Sequence, residues 1–215
     1  MKVALCYSGN LRTYEYCVKN HSELLGNDVD VFVSTWDTIN RVERINDPWH
    51  FKCENIIPNS CDEKYIEKHT PKNFNIVSIK IESYKDYSFS NQLLYQYLKI
   101  KDCYNLISNP ENYDFIVRIR PDIIIENFVF EREKLVFDQH IWYDYKYTPN
   151  VTFSTNEMIW SGHYELMEKS VRIIDNFAEV SKYEPNGECI CYRNLEYENL
   201  IDKTVFRNFN YKVIR

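Results

Sequence analysis

Tyr113-Asp114-Phe115-Ile116-Val117-Arg118-Ile119-Arg120-Pro121-Asp122-Ile123-Ile124-Ile125 is the stretch whose reading decides the fold. Its first half alternates apolar and polar residues around β-branched Ile and Val, the pattern of a strand buried in a sheet. Pro121 has no amide hydrogen to give a ladder, so regular pairing is expected to stop near it. Asp122 is then left just past the strand's carboxyl end, with Arg118 and Arg120 close behind. In an open α/β sheet that edge is where ligands bind. Guanidinium groups hold phosphate bidentately, and a carboxylate offers hard oxygens to Mg2+ or Mn2+. Two arginines and an aspartate at a strand end therefore suit a phosphate-bearing ligand with a divalent cation. The plainer reading is a surface Arg–Asp pair on an edge strand.

Upstream, Leu94, Tyr97, Leu98, Leu106 and Ile107 recur at helical spacing behind Ser90 as N-cap. Asn109-Pro110-Glu111-Asn112 turns this helix into the strand. Its polar start, Ser90-Asn91-Gln92, either lines the same cleft or caps the helix, and Gln92 is a candidate ligand contact.

At the front of the chain, Lys2 to Tyr7 reads as a strand. It runs through Ser8-Gly9-Asn10-Leu11-Arg12-Thr13 into a helix ending near Leu25. A strand, a small-residue turn and a helix open a nucleotide-binding α/β unit, because amide groups at such a helix start attract phosphate. Tyr7, Ser8, Gly9 and Arg12 are the candidates here, although one glycine is no dinucleotide or P-loop fingerprint, and an ordinary turn reads the same. Asp28 to Trp36 is a second strand. If it is parallel to the first, Thr35-Trp36-Asp37 joins the same sheet edge. A helix over 62–70 and a strand from Phe74 to Ile81 follow.

Beyond the central stretch, Phe128-Val129-Phe130 and His140-Ile141-Trp142-Tyr143 read as strands. Asn156-Glu157 precedes Met158-Ile159-Trp160, and Ser161-Gly162 turns into a helix running to about Glu179. A last helix spans Pro185 to about Asn199, and Thr204 to Ile214 closes the chain as a strand. The expected fold is α/β: one Rossmann-like domain with a mixed, mostly parallel sheet flanked by helices. Residues 1–125 would form a ligand-binding half and 126–215 a second half of that domain.

At 215 residues the chain is long enough for one such domain with a substantial core. A net charge of −6 argues against a general nucleic-acid binder, which needs a concentrated positive field. The seven cysteines are odd in number and none has CxxC spacing, which argues against a zinc site and for reduced thiols. The apolar run after Met1 is too short for a signal peptide, and no segment is long enough to cross a membrane. A cytoplasmic location is the expectation.

Four blocks occur in order: Val3–Arg12, Asp30–Asp37, the Gln92–Leu106 helix and Tyr113–Asp122. Together they resemble a group of bacterial and large-virus glycosyltransferases with a GT-A fold, and the strongest element is Arg118-x-Arg120-Pro121-Asp122. The segments 156–162 and 185–195 resemble that group's acceptor side. The resemblance implies a nucleotide-sugar donor (a UDP- or GDP-sugar), a glycan or glycoprotein acceptor and a divalent cation, Mn2+ or Mg2+. It also implies a carboxylate motif, typically Asp-x-Asp, bridging metal and diphosphate. Here Arg120-Pro121-Asp122 matches with one acidic residue, so Arg118 or Arg120 would neutralise part of the diphosphate charge.

On this reading Asp122 is a metal ligand and acts in catalysis, and His163 is a second candidate ligand. Glu157 is the candidate base for the acceptor hydroxyl, with Asp37 and Asp144 behind it. Tyr7, Trp36 and Trp160 are candidates for stacking on a base or sugar, against the alternative of core packing. Two other classes stay open: a nucleotidyltransferase or hydrolase on a similar sheet, and a non-catalytic nucleotide- or carbohydrate-binding module.

Overall fold

The structure, a computed structural model, describes residues 1–39, 60–140, 154–182 and 187–214. The chain opens with β1 (Val3–Ser8), α1 (Tyr14–Leu25), β2 (Val29–Trp36), α2 (Glu63–His69) and β3 (Phe74–Glu82). Next come α3 (Gln92–Asn105), β4 (Phe115–Ile119), β5 (Ile123–Ile125), β6 (Leu135–His140) and β7 (Ser154–Gly162). Three helices follow, α4 (Tyr164–Ser170), α5 (Phe177–Val180) and α6 (Gly187–Tyr197), and then β8 (Thr204–Arg207) and β9 (Tyr211–Val213).

Seven strands form one sheet in the order β3-β2-β1-β4-β7-β6-β8. The first four run parallel, β7 is antiparallel to β4 and β6, and β8 is parallel to β6. This is the mixed, mostly parallel α/β sheet that the strand–helix alternation predicts. The sheet runs through both halves of the chain, since β6, β7 and β8 extend the sheet begun by β1 to β4.

Strand alternation decides which helix each side chain meets. Val3, Leu5 and Tyr7 of β1, Val29, Val31 and Val33 of β2, and Val117 and Ile119 of β4 join one buried cluster with α1 residues Tyr14 and Val18. Ala4, Cys6, Phe32 and Ile116 face the other way, against Tyr97, Ile100 and Cys103 of α3 and Ile190 of α6. The helix α1 can cover its face because Tyr14, Cys17, Val18, His21, Ser22 and Leu25 fall on a single stripe, and all are buried. The described cysteines are all buried.

Five expectations about elements need correction. The 113–125 stretch is not one strand: β4 ends at Ile119, and Ile123–Ile125 pairs with Tyr211–Val213 in a separate two-stranded ribbon. Pro121 explains the break, as expected, but the chain resumes elsewhere instead of stopping. The closing strand divides as well: Thr204–Arg207 pairs with β6 in the main sheet and Tyr211–Val213 leaves for the ribbon. Phe128-Val129-Phe130 is not a strand; its side chains pack against the core. The helix after Gly162 stops at Ser170, because Asn194 of α6 donates to the Ser170 carbonyl at 3.1 Å and the chain continues as short turns. The cap of α3 is Asn91, one residue past Ser90: its Oδ1 accepts from Leu93 N at 2.9 Å. Residues 141–143 and 185–186 of two predicted elements lie outside the described residues. No described helix is long and apolar enough to cross a membrane.

Candidate functional site

A cavity of about 270 Å³ opens at the carboxyl ends of β1, β2 and β4. Ser8, Gly9, Asn10 and Arg12 line it from the β1–α1 turn, Trp36 from the end of β2, and Tyr84 from just past β3. The first turns of α3 add Gln92, Leu93, Tyr95 and Gln96; the exit of β4 adds Arg118, Arg120, Pro121 and Asp122; β7 adds Glu157. Nine of the thirteen predicted site residues are therefore gathered around one space: Ser8, Gly9, Arg12, Trp36, Gln92, Arg118, Arg120, Asp122 and Glu157.

Gly9 makes the turn possible. Its φ of 97° lies in the left-handed region, and its amide bonds the Ser34 carbonyl at 3.0 Å, so the chain reverses directly off the strand. Arg12 is also left-handed, with φ 45°, and its own amide goes to the Ile39 carbonyl. The helix begins two residues later, at Tyr14, and its amino terminus does not line the cavity. Where a helix-start phosphate site was expected, the residues of the turn line the cavity instead.

Asp122 is the hub. Arg120 grips it bidentately, Nε to Oδ1 at 2.9 Å and Nη2 to Oδ2 at 2.8 Å, in a bracket that straddles Pro121. Arg12 Nη1 reaches Oδ2 at 2.6 Å. The carboxylate is 1% exposed; burial alone would raise its pKa, but the two guanidiniums outweigh this and hold it at about 2. Its backbone is tied down as well. Ile214 N bonds the Asp122 carbonyl at 2.8 Å, and Thr13 Oγ1 donates to the Ile214 carbonyl at 2.7 Å. From α1, Asn20 exchanges two hydrogen bonds with the backbone of Ile125, and His21 Nε2 meets the Ile123 carbonyl at 2.8 Å.

Arg118 is fixed differently. Its Nε donates to Ser8 Oγ at 3.1 Å, its Nη1 donates to the Glu157 carbonyl, and its guanidinium lies 4.6 Å from the Trp160 ring centroid. It is 1% exposed, and burial lowers its pKa to about 10, which leaves it charged at neutral pH. Among the described residues its Nη2 has no acceptor. Asn10 Oδ1, Gln96 Nε2 and Glu157 Oε2, all from cavity-lining residues, are buried without partners in the same way. Orphaned polar atoms cost roughly 1–3 kcal/mol each, and four around one cavity mark a place built for a polar ligand. Glu157 reaches the site because the β6–β7 ladder slips between Phe137 and Gln139, which frees that part of β7.

The opposite wall is aromatic. Tyr84 and Tyr95 stack at 4.2 Å and 8°, and both meet Trp36 edge-on, at 5.0 and 5.7 Å. Behind them Lys99, fully buried, sets its ammonium 4.0 Å from the centre of the Trp36 ring and bonds Glu82.

Four predicted residues lie elsewhere. Tyr7 and Thr35 have the wrong strand parity: Ser8, Trp36 and Arg118 belong to the α3 face, whereas Tyr7 and Thr35 point to the α1 side and are fully buried. Tyr7 gives its hydroxyl to His21 Nδ1 at 2.8 Å and packs on Tyr14. Asp37 is bound through its backbone to Glu82 and Cys61 and does not line the cavity. His163 follows Gly162, which pairs with Ile116 at the amino end of β4; because β7 runs antiparallel, it sits on the order of 15–20 Å from Asp122. It is therefore no partner for Asp122 on a cation. Trp160 is fully buried under Arg118 and against Phe137, so it supports the site without offering a stacking face. Asp144 lies outside the described residues.

Six lining residues were not singled out from the sequence as ligand contacts: Asn10, Tyr84, Leu93, Tyr95, Gln96 and Pro121. Two signals were available. Gln92 and Gln96 are four apart on one helix and so share a face. Tyr84 follows the exit of β3, the same sheet edge as Trp36.

Among the described residues the donor set does not fit a resident divalent cation. Asp122 already accepts three guanidinium hydrogen bonds, and among the described lining residues the one other carboxylate is Glu157. No cluster of three or more His, Cys, Asp or Glu side chains suited to a metal forms among the described residues. No family model matches this chain, and no curated protein sequence matches it.

Proposed function

We propose that this chain is a glycosyltransferase that moves a hexosyl or deoxyhexosyl group from a UDP- or GDP-sugar to a glycan acceptor, in the cytoplasm. The observation that carries the reading is the convergence of three guanidiniums, from Arg12, Arg118 and Arg120, on one cavity at the carboxyl ends of parallel strands. That is the position where open α/β sheets bind nucleotides, and arginine is the side chain suited to phosphate. The sequence blocks that resemble GT-A glycosyltransferases supply several of the lining residues.

The chemistry follows from the charges. The donor's diphosphate lies against the arginines, and its base lies toward the Tyr84–Tyr95 pair, which offers a flat apolar surface. Glu157 takes the proton of the acceptor hydroxyl as its oxygen bonds the anomeric carbon. The bond from that carbon to the diphosphate oxygen breaks, and its electron pair leaves with the nucleoside diphosphate. The guanidiniums stabilise that developing charge.

Incubation with UDP- and GDP-sugars, followed by detection of the released nucleotide, tests the reading. Release of nucleoside diphosphate is expected. Release of pyrophosphate from nucleoside triphosphates assigns the site to nucleotidyl transfer instead, and binding without turnover of any donor assigns it to a non-catalytic module.

A further inference from the structure

We infer that this site grips the diphosphate with arginine alone, and that Asp122 is the positioning residue of that clamp, with no cation between them. The inference rests on the donor reading for the identity of the anion and goes beyond it in excluding a bridging metal.

Three observations carry it. A carboxylate offers about four lone-pair positions, and Asp122 has three of them filled by Arg120 and Arg12. A cation seated on Asp122 would find one position left, beside two charged donors that already hold the carboxylate. The surrounding field is also wrong for one. Among the described lining residues three guanidiniums face two carboxylates, a balance that favours an anion over a dication. Finally, Arg118 is held rigid on three sides, by Ser8, the Glu157 carbonyl and Trp160, and keeps one buried N–H group without an acceptor among the described residues. A pre-oriented, unsatisfied cationic donor supplies to an incoming phosphate oxygen what a metal would otherwise supply.

Asp122 then has a clear task. Arg12 comes from the β1–α1 turn and Arg120 from the β4 exit, and one buried carboxylate holds both heads at the cavity wall. Without it the two guanidiniums would repel each other and move apart.

Calorimetric titration of the full chain with UDP, GDP and inorganic pyrophosphate, in EDTA and in excess Mn2+, tests this. The nucleoside diphosphate that binds is expected to do so in EDTA within about fivefold of its affinity in Mn2+. A larger gain from Mn2+ overturns the inference and leaves the donor reading standing. Absence of binding by either nucleoside diphosphate in both buffers overturns the two together. Asp122→Asn keeps the shape and loses the charge. It is expected to weaken binding by the same factor in both buffers, and a loss confined to Mn2+, or an unchanged affinity in the folded variant, removes the positioning role. If that variant does not fold, the comparison of buffers on the unmodified chain decides alone.

Discussion

Arg12 Nη1 lies 2.6 Å from Asp122 Oδ2, a contact across 110 positions of sequence that joins the β1–α1 turn to the exit of β4. With Arg120 on the same carboxylate, it closes one wall of the cavity. Asp122→Ala leaves two guanidiniums without their shared counter-charge, one of them mostly buried. Removing one partner of a buried pair costs on the order of 3 kcal/mol, and a loss of that size is expected in urea unfolding. Arg12→Ala is expected to cost less, since Arg12 is a quarter exposed and Arg120 keeps its bidentate grip. Equal costs for the two variants would contradict this division.

Arg118→Lys keeps the charge and loses the planar fork. Lysine cannot bond Ser8 and the Glu157 carbonyl, lie flat on Trp160 and still offer a further N–H to a ligand. Nucleoside diphosphate affinity is expected to fall by at least about tenfold, the loss of one charge-assisted hydrogen bond. Calorimetry on the folded variant checks it.

Glu157→Gln separates chemistry from binding. The amide cannot take a proton, so the transfer rate is expected to fall by about 10²- to 10⁴-fold while nucleoside diphosphate affinity changes little. A rate left within a few-fold of the starting enzyme removes Glu157 as the base.

Gly187 stands against that same carboxylate. A β-carbon placed there would lie 3.0 Å from Glu157 Oε2 and 3.3 Å from Leu93 Cδ2. Gly187→Ala therefore pushes the carboxylate aside. The transfer rate should drop while the urea midpoint moves little, and steady-state rates alongside an unfolding curve show whether the two effects separate.

The buried His21 makes stability depend on pH. Its Nε2 meets a carbonyl, so that nitrogen carries the proton and Nδ1 accepts from Tyr7; the ring is neutral. Burial lowers its pKa from 6.5 to about 4. Between those values the unfolded chain binds a proton that the folded chain refuses, so stability is full above pH 6.5 and falls as pH drops toward 4. The loss is on the order of 3 kcal/mol. The Asp122 contribution has the opposite origin and a lower window: it is present above about 3.8 and is lost only as pH falls through about 2. Urea unfolding from pH 7 to 4.5 therefore reads His21, and His21→Gln should flatten the curve.

Much of this was legible in the chain. Alternation in Val29–Trp36 and Phe115–Ile119, with Pro121 as a stop, placed two strand ends on one edge, and the arginines and aspartate of that edge do meet. Parity separated the candidates further. Once Arg118 is on the α3 face, Trp36 and Ser8 follow it, and Tyr7 and Thr35 cannot. That assignment needs the register between strands, which local sequence does not carry. The misplaced His163 has a similar origin. Nothing in residues 154–162 marks them as running antiparallel to β4, and the direction of one strand moves a side chain from one edge of the sheet to the other. The aromatic wall was hidden because Tyr84 and Tyr95 belong to a tyrosine-rich chain in which one tyrosine looks like another.

The most direct measurement is a crystal structure of the chain soaked with the nucleoside diphosphate that binds most tightly. The diphosphate is expected between Arg12, Arg118 and Arg120, with an oxygen on Arg118 Nη2, no metal on Asp122 and the base toward Tyr84. A diphosphate bound away from these arginines, or held to Asp122 through a cation, would contradict it.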